Sequence, residues 1–311
     1  MGDVTSLRVG YLGPSGTFTE SALLTQTDLA SAEHVLYRSH SDVLHNTATG
    51  QIDFGFCAIE NAIEGTVNVV QDTLAFDSDL LIQREVIIPI TMNLLVKEGS
   101  SLSDVKKVIS YPHALAQVRS FLRENLPDAE LEAANSTAHA AHLLSESDQL
   151  SVAAVGTSLA AEKYGLDIVA EGIEDHQGNK TRFVLISRDG IPAPTGHDKT
   201  SVVVFQRSDR PGSLLAILQE FAARSINLTK LESRPTREGL GQYCFLLDLE
   251  GHIADSVMAD CLKTLQTKDV RVKFLGSYPA AGDHAETVRE ESNAALDKAQ
   301  SWLDTIRSKL S

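Results

Sequence analysis

The chain has 311 residues and a formal net charge of −15. This length suggests about two domains, and the charge argues against binding to nucleic acid or to an anionic membrane, because both need a basic surface. A composition of 42% hydrophobic and 22% charged residues indicates a globular protein with a sizeable core and excludes disordered and collagen-like classes.

The cysteines and the N-terminus indicate a reducing compartment. The three cysteines lie far apart and match neither a disulfide framework nor a zinc site. The first residues lack the basic and apolar regions of a signal peptide, and no stretch has the length and apolarity of a membrane span. We therefore expect a cytoplasmic protein.

The first part of the chain repeats one unit: a short apolar strand, a polar loop and a capped helix. In the first copy the strand at 8–12 breaks at Gly13-Pro14-Ser15-Gly16, and Thr17 or Thr19 caps the helix that follows. The strands of the later copies are at 54–59, 107–109, 130–133 and 152–155. This order predicts a doubly wound α/β region up to about residue 190.

Polar residues cluster where these strands end. In such sheets, ligands bind outside the carboxyl ends of the strands, among loops and helix N-termini. Hydroxyl and amide groups at those positions can hydrogen-bond the anionic oxygens of a ligand. The residues that carry these groups are Ser15, Thr17, Asn61, Ser110, Gln117, residues 135–137, Thr157 and Thr181. Apolar runs at 86–90 and 167–170 predict crossings between two lobes, with hinges at 84–89 and 169–174.

Alternative roles remain open for some of these residues. The loop at 10–16 is neither GxGxxG nor a Walker loop, so a nucleotide site is not favoured. His139 and His142 have metal-ligand spacing but lack an obvious third ligand. Glu60 and Glu64 are candidates either for acid–base chemistry or for a structural role.

The composition changes after residues 189–196. Two prolines and two glycines between 189 and 196 mark a linker. Strands at 201–206, 227–233, 242–249 and 270–278 and helices at 213–223 and 254–265 then follow in the βαββαβ order of a ferredoxin-like domain. The first helix begins at Pro211-Gly212, where free backbone amides suit a small carboxylate.

Together, these segments resemble the prephenate dehydratase family. The resemblance rests on Gly13-Pro14-Ser15-Gly16-Thr17-Phe18, Ile59-Glu60-Asn61 with Gly65 and Asp72, Ser110 with Gln117, Asn179 with Thr181-Arg182-Phe183, and Glu232-Ser233-Arg234-Pro235. It covers residues 7–278 in order. The C-terminal part is similar to an ACT domain, which in this family senses phenylalanine.

The resemblance implies a two-lobed, type II periplasmic-binding-like catalytic domain at 1–190. Lobe one is expected at 1–84 with 171–190 and lobe two at 85–170, followed by a linker at 191–200, an ACT domain at 201–279 and a helical tail at 280–311. The implied reaction converts prephenate to phenylpyruvate, with loss of carbon dioxide and water, in L-phenylalanine biosynthesis. No cofactor or metal is expected, because aromatisation of the ring absorbs the electrons released by decarboxylation.

The resemblance also implies roles for individual residues. Thr181 donates a hydrogen bond to the departing hydroxyl, and Asn61 and Gln117 position the substrate. The residues expected to line the site are Ser110, Phe183, Ser15, Thr17 and Thr157. Phenylalanine is expected between ACT domains of a homodimer or homotetramer, against Gly212, Ser213 and Leu214 of one copy and Glu232, Ser233, Arg234 and Pro235 of another.

Some positions depart from the family pattern or allow two interpretations. Ala62 replaces a common Ser or Thr, Ser213 a common Ala, and His113 stands in an altered Tyr-Pro-His order that leaves its role open. Arg182 binds a substrate carboxylate or forms a structural ion pair; we favour the ion pair because its side chain alternates with that of Thr181.

Three further expectations concern the ends of the chain and the reaction. Because the chain starts at the first strand, with no room for a fused chorismate mutase domain, we expect a monofunctional enzyme. The tail at 285–310 is a helix candidate that forms an oligomer contact or frays; its apolar face carries Ala295, Ala299, Trp302, Ile306 and Leu310. The alternative functions are arogenate dehydratase and a two-lobed small-acid-binding protein without catalysis.

Overall fold

The computed structural model describes residues 7–207, 210–237, 239, 241–282, 298 and 301–309. It divides into two compact units. The first contains the residues up to Val70 together with Ile87–Phe183, and the second contains Gln71–Val86 together with the residues from Val184 onwards. Gln71–Val86 therefore belongs to the same compact unit as the C-terminal residues.

Strands and helices alternate through the N-terminal two thirds of the chain. The strands are β1 (Arg8–Leu12), β2 (Glu33–Tyr37), β3 (Phe54–Asn61), β4 (Gly65–Thr66), β5 (Leu81–Pro89), β6 (Asn93–Val96), β7 (Lys107–Ser110), β8 (Glu130–Ala133), β9 (Val152–Gly156), β10 (Asp167–Ala170) and β11 (Lys180–Ser187). The helices are α1 (Phe18–Leu24), α2 (His40–Ala48), α3 (Asn68–Asp72), α4 (Pro112–Gln117), α5 (Arg119–Asn125), α6 (Thr137–Glu146) and α7 (Ser158–Tyr164). A π-helix at Thr73–Asp77 continues α3, and a 3₁₀ turn occupies Leu102–Asp104.

These strands form two mixed sheets. The first has the order β2-β1-β3-β11-β5, with β4 beside β3, and its β1 is parallel to β2 and β3. The second has the order β10-β6-β9-β7-β8, in which β7 is parallel to β8 and β9 while β6 is antiparallel to β9 and β10. The start of β11 lies beside the end of β3, where the Ala62 N–H donates to the Lys180 carbonyl at 2.9 Å. This arrangement brings Asn61 and Thr181 to the same edge of the first sheet.

Some local predictions differ from the structure. The helix that follows the strand predicted at 54–59 begins only at Asn68, because Thr66 pairs with β3 as part of β4, and α3 changes to a π-helix after Asp72. The predicted hinge at 84–89 lies within β5. The pattern also missed β2, a short strand with no fully buried residue and hence no clear apolar alternation.

The C-terminal domain has the predicted βαββαβ order. Its elements are β12 (Asp198–Gln206), α8 (Ser213–Ala222), β13 (Leu228–Pro235), β14 (Tyr243–Glu250), α9 (Ser256–Gln266) and β15 (Val270–Pro279). The antiparallel sheet has the order β13-β14-β12-β15. Its buried face packs on both helices, and this core contains Val202, Val204, Phe245, Leu247, Ile217, Phe221 and Leu265.

β15 also makes a close backbone approach within the second unit. At Gly276 (φ +142°), an added Cβ would lie 2.4 Å from the carbonyl oxygen of Ile82 and 3.0 Å from its nitrogen. The register of β12 against β15 shifts between Ser201 and Val202, next to this glycine. A residue without a side chain is therefore needed where β15 meets the Gln71–Val86 segment.

Only part of the predicted tail helix falls within the described residues. Residues 301–307 are helical, with 65% of Trp302 and 43% of Ile306 exposed. Ala295, Ala299 and Leu310 lie outside the described residues. Among the helices in the described ranges, none combines the length and apolarity that crossing a bilayer requires.

Candidate active site

Asn61 fixes the orientation of the Thr181 hydroxyl. The Asn61 side-chain oxygen accepts the backbone N–H groups of Ile63 (2.9 Å) and Glu64 (3.0 Å), so its amide nitrogen must point the other way. That nitrogen donates to Thr181 Oγ1 at 2.8 Å. Because Thr181 Oγ1 accepts this bond, the proton of the hydroxyl is directed away from Asn61. Thr181 is 8% exposed, so the hydroxyl sits at the edge of the interior.

A second set of polar contacts joins the loop after β3 to α4. Gln117 Nε2 donates to Glu64 Oε1 at 3.0 Å, and His113 Nδ1 lies 3.4 Å from the same oxygen. Gln117 Oε1 in turn accepts from Asn179 Nδ2 at 3.2 Å. Asn61, Thr181 and Gln117, which the sequence predicts as catalytic residues, thus belong to two hydrogen-bond groups that meet in the turn 61–64.

The predicted ligand loop at 13–17 is fastened to α7. Tyr164 Oη donates to the Ser15 carbonyl (2.9 Å), and Lys163 Nζ donates to Ser15 Oγ (2.7 Å). An added Cβ at Gly16 (φ +88°) would lie 3.1 Å from Ala160 Cα, which shows how closely the loop approaches the helix. The two segments are about 145 residues apart in sequence, and the contact joins elements of both sheets.

Glu20 is the charged centre of this contact. It is 3% exposed and accepts from Lys163 Nζ (2.5 Å), the Gly16 N–H (2.5 Å) and Ser15 Oγ (3.0 Å). Burial raises the pKa of Glu20, but the hydrogen bonds from Lys163, Gly16, Tyr11 and Ser15 outweigh it and leave that pKa below its ordinary value. The buried carboxylate is therefore ionised and paired at neutral pH.

Several residues predicted to line the site have their hydroxyls bound within the protein. Thr157 Oγ1 donates to the Gly16 carbonyl (2.7 Å) and accepts from the Ala160 N–H, as the N-cap of α7. Thr17 caps α1 by accepting the Glu20 N–H. Ser110 is fully buried and donates to the Val155 carbonyl (2.7 Å), which ties β7 to β9. These residues and Ser15 lie in the framework around the site.

Phe183 and Arg182 are also part of the framework. The Phe183 ring is 1% exposed and stacks on Phe56, with 5.5 Å between the ring centroids, so the structure places it in the core and not on a cavity wall. The alternation of side chains along a strand shows which residues share a face with Phe183, but it does not show whether that face is buried in the core or lines a cleft. Arg182 Nη1 lies 3.8 Å from Glu60 Oε2, which is the ion pair that the alternation favours.

The sequence analysis missed the roles of Glu20, Lys163 and the His113–Glu64 contact. Thr17 and Glu20 have the T-x-x-E spacing of a capping box, although the Glu20 carboxylate binds Gly16. His113 and Gln117 are four residues apart and hence neighbours on one helix face. No local pattern connects Lys163 to Glu20, because 143 residues separate them.

The predicted effector residues occupy two places in the C-terminal domain. A cavity of about 450 Å³ lies at the start of α8, lined by residues that include Arg210, Gly212, Ser213, Asp269 and Val270. Gly212 is the N-cap of α8, with φ +86°. The Ser213 hydroxyl accepts a hydrogen bond from Gln206 Nε2 (2.6 Å), so its proton and the backbone amides at this helix end are candidates for a carboxylate.

Arg234 of β13 and Arg237, which follows this strand, make polar contacts with Asp72, the last residue of α3. Arg234 Nε (3.1 Å) and Nη2 (2.6 Å) both donate to Asp72 Oδ1, and Arg237 Nη2 donates to Asp72 Oδ2 (3.0 Å). Glu232 Oε2 lies 3.5 Å from Lys230 Nζ. Along β13, Lys230, Glu232 and Arg234 are half-buried, while Leu231, Ser233 and Pro235 alternate with them and are exposed.

The described residues hold no group of three His, Cys, Asp or Glu side chains arranged as metal ligands. His142 stacks on Tyr164, and its Nε2 lies 3.8 Å from Glu146 Oε1.

Comparison with known proteins identifies the family of the chain. The family model for prephenate dehydratase matches residues 9–191, and the model for the ACT domain matches residues 200–266. A prephenate dehydratase of Mycobacteroides abscessus is 42% identical over 307 residues, which cover 96% of this chain and 98% of that protein.

Solved structures give the same assignment of the fold. A prephenate dehydratase of Arthrobacter aurescens in complex with L-Phe has a TM-score of 0.82 and 39% identity, covering 97% of this chain and 100% of that one. GqqA, described as a novel type of quorum quenching acylase, has a TM-score of 0.78 and 26% identity, covering 88% of this chain and 98% of that one. One fold can host different reactions, so the roles of the residues must be argued from the site. With its periplasmic-binding-like α/β region and C-terminal ACT domain, the chain belongs to the prephenate dehydratase family of lyases.

Proposed function

We propose that this protein converts prephenate to phenylpyruvate, with the Thr181 hydroxyl as the hydrogen-bond donor to the departing ring hydroxyl. The observation that carries the proposal is the bond from Asn61 Nδ2 to Thr181 Oγ1. It uses an acceptor position of the hydroxyl and leaves its proton for a ligand. Asn61 is itself held by two backbone N–H groups, so the donor is oriented before substrate arrives.

The chemistry explains why a donor is needed at this point. Prephenate carries two carboxylates and phenylpyruvate carries one, so release of carbon dioxide and water takes up one proton. The carbon–carboxylate bond breaks and its electron pair enters the ring, while the ring carbon–oxygen bond breaks and oxygen leaves with its pair. A threonine hydroxyl is a weak acid, so Thr181 stabilises the developing hydroxide by hydrogen bonding, and the one proton that makes it water is taken up from the buffered solution.

Gln117 has the second role, that of positioning the substrate. Its side-chain oxygen is bound by Asn179, which is only 4% exposed, so its amide donor points into the region shared with Glu64 and His113. Ser15, Thr17, Ser110, Thr157 and Phe183 support the walls of the site from the framework, as their contacts indicate.

We further propose that phenylalanine binds the ACT domain and inhibits the enzyme. The relative from Arthrobacter was solved with L-Phe. In this chain the cavity at the start of α8 offers the backbone amides after Gly212 to an amino acid carboxylate. Ser233 and Pro235 are exposed on β13 and available to a second copy, whereas Arg234 reaches Asp72 and is suited to transmit the effect of binding.

Pairing of ACT domains would give a homodimer or a homotetramer. Leu215 on α8 and Leu231 on β13 are 59% and 46% exposed in the single chain, and burial between copies would remove this apolar surface from water. The cytoplasm is the compartment that suits the protein, because its three cysteines are free and buried.

Incubation of the purified protein with prephenate, with phenylpyruvate as the measured product, tests the function. We expect turnover of prephenate, inhibition by phenylalanine, and little conversion of arogenate to phenylalanine. Preferential turnover of arogenate would replace prephenate as the substrate. Tight binding of either acid without product would indicate a binding protein. Solution mass with and without phenylalanine gives the oligomeric state.

A further inference from the structure

Two side-chain nitrogen atoms on α4 converge on a single carboxylate oxygen. His113 and Gln117 are one helical turn apart and lie on the same face. Gln117 Nε2 donates to Glu64 Oε1 at 3.0 Å, and His113 Nδ1 lies 3.4 Å from that oxygen. The carboxylate comes from the turn after β3, whereas α4 follows β7 of the other sheet. The pair of donors thus recognises a carboxylate that is not part of its own helix.

The Gln117 donor is fixed, but the Glu64 carboxylate is not. Asn179 holds the Gln117 side-chain oxygen, which fixes the direction of the Gln117 N–H. By contrast, 41% of the Glu64 side chain is exposed, and among the described residues its carboxylate is held only by His113 and Gln117. A ligand carboxylate can therefore replace Glu64 without breaking any other contact of that side chain.

We propose that His113 and Gln117 form the subsite for one carboxylate of the substrate and that Glu64 occupies this subsite in the ligand-free protein. This inference rests on the proposed function and adds His113 and Glu64 to it. The backbone N–H of Glu64 binds Asn61, whose amide holds Thr181. The subsite and the hydroxyl donor therefore meet in the turn 61–64, so a single small acid has access to both.

The chemistry selects which carboxylate binds there. The ring carboxylate leaves as neutral carbon dioxide, and donors that hold its charge would stabilise the ground state more than the transition state. The carboxylate of the 2-oxo acid side chain keeps its charge throughout. His113 and Gln117 thus bind the side-chain carboxylate, which is also present in the product phenylpyruvate.

Competition with Glu64 has a measurable consequence. Two carboxylates cannot share the subsite, because like charges at this distance repel. The ligand must displace Glu64, which costs it part of the binding free energy. Removing the Glu64 carboxylate therefore tightens the binding of any ligand that uses the subsite, while removing the donors weakens it.

Calorimetric titration with phenylpyruvate tests this without turnover. For Glu64→Ala we expect a Kd about three- to tenfold lower than for the wild-type chain, the range for loss of one charge-assisted hydrogen bond between partly exposed groups. Glu124→Gln is the matched control: it also removes a charged glutamate, from the exposed surface of α5, and should leave the Kd unchanged. His113→Ala should raise the Kd by a similar factor, whereas His113→Gln, which keeps an N–H donor, should stay close to wild type.

An unchanged or higher Kd in Glu64→Ala overturns the proposal, and so does an equal gain in Glu124→Gln, which would assign the effect to net charge. His113 and Glu64 are exposed enough for their variants to fold, and circular dichroism checks this. Turnover of prephenate by the wild-type protein tests the proposed function separately. A chain that fails to turn over prephenate but binds phenylpyruvate more tightly after Glu64→Ala would keep the subsite and lose the function.

Discussion

Replacing Thr181 with valine removes the hydroxyl while nearly preserving the shape of the side chain. The proposed mechanism assigns to this hydroxyl one hydrogen bond that strengthens as the ring oxygen leaves. Loss of one such donor typically lowers kcat by about 10²- to 10³-fold, or about 3 to 4 kcal/mol of transition-state stabilisation. We expect Thr181→Val to fall in this range, with a smaller change in KM, because the carboxylate contacts at α4 remain.

The same substitution has a cost in stability, and its size decides whether the assay can be interpreted. Thr181→Val removes the bond from Asn61 Nδ2 and leaves that donor unpaired. An unpaired buried donor costs about 1 to 3 kcal/mol. Asn61 is only partly buried, so water can reach its amide and the cost should lie near the lower limit. The variant should therefore stay folded at assay temperature, and its lost rate reports on the reaction.

Initial rates of phenylpyruvate formation, with a urea melt of each variant, provide the measurement. Thr181→Ser is the control: it keeps the hydroxyl and should retain activity within about tenfold of wild type, allowing for a less restricted rotamer. A Thr181→Val enzyme with at least a third of the wild-type kcat would refute the role of the hydroxyl, whatever the result for serine.

Three further predictions concern stability and regulation. Because the pKa of Glu20 is lowered in the folded state, the ionised carboxylate stabilises the fold at neutral pH, and this contribution is lost as the pH falls through that pKa. In urea melts, the difference in unfolding free energy between wild type and Glu20→Gln should therefore shrink below about pH 4. A difference that widens at low pH would contradict the pairing. Asp72→Asn weakens the contact with Arg234, so phenylalanine should still bind in calorimetry while its inhibition constant rises by about fivefold or more; unchanged inhibition would rule out this route. Gly276→Ala places a Cβ 2.4 Å from a backbone oxygen of β5 and should lower the free energy of unfolding by about 1 to 3 kcal/mol. Gly239→Ala is the control: a Cβ there would lie 3.9 Å from the nearest neighbouring atom, so this variant should unfold like wild type.

Local sequence patterns predicted most of the order of elements, and the roles of Asn61 and Thr181 came from the resemblance to a known family. Asn61 ends an apolar strand and Thr181 begins another, and both positions are visible without any knowledge of which strands are neighbours. The bond between them also requires that β11 lie next to β3. The sequence contains no local signal for that pairing of strands, and the resemblance gave no strand order.

Local sequence patterns could not predict contacts between segments that are far apart in the sequence. Ser15, Thr17 and Thr157 have the residue types of a ligand loop, but their hydroxyls are satisfied by Glu20, Lys163 and backbone atoms across the two sheets. A local sequence pattern shows which hydrogen-bonding side chains a loop carries, but not which distant residues bind them in the folded chain. Phe183 shows the same limit for apolar residues, because only the position of Phe56 distinguishes a core ring from a ring in a cleft.

The membership of Gln71–Val86 in the C-terminal unit affects how this enzyme can be re-engineered. A chimaera that takes its sensory half from another dehydratase, joined at the proline-rich linker, would replace the partners of Asp72 and the backbone that accommodates Gly276. A chimaera that takes both the Gln71–Val86 segment and the ACT domain from the same relative should keep the contacts between them. A chimaera joined only at the linker should need compensating substitutions at these positions.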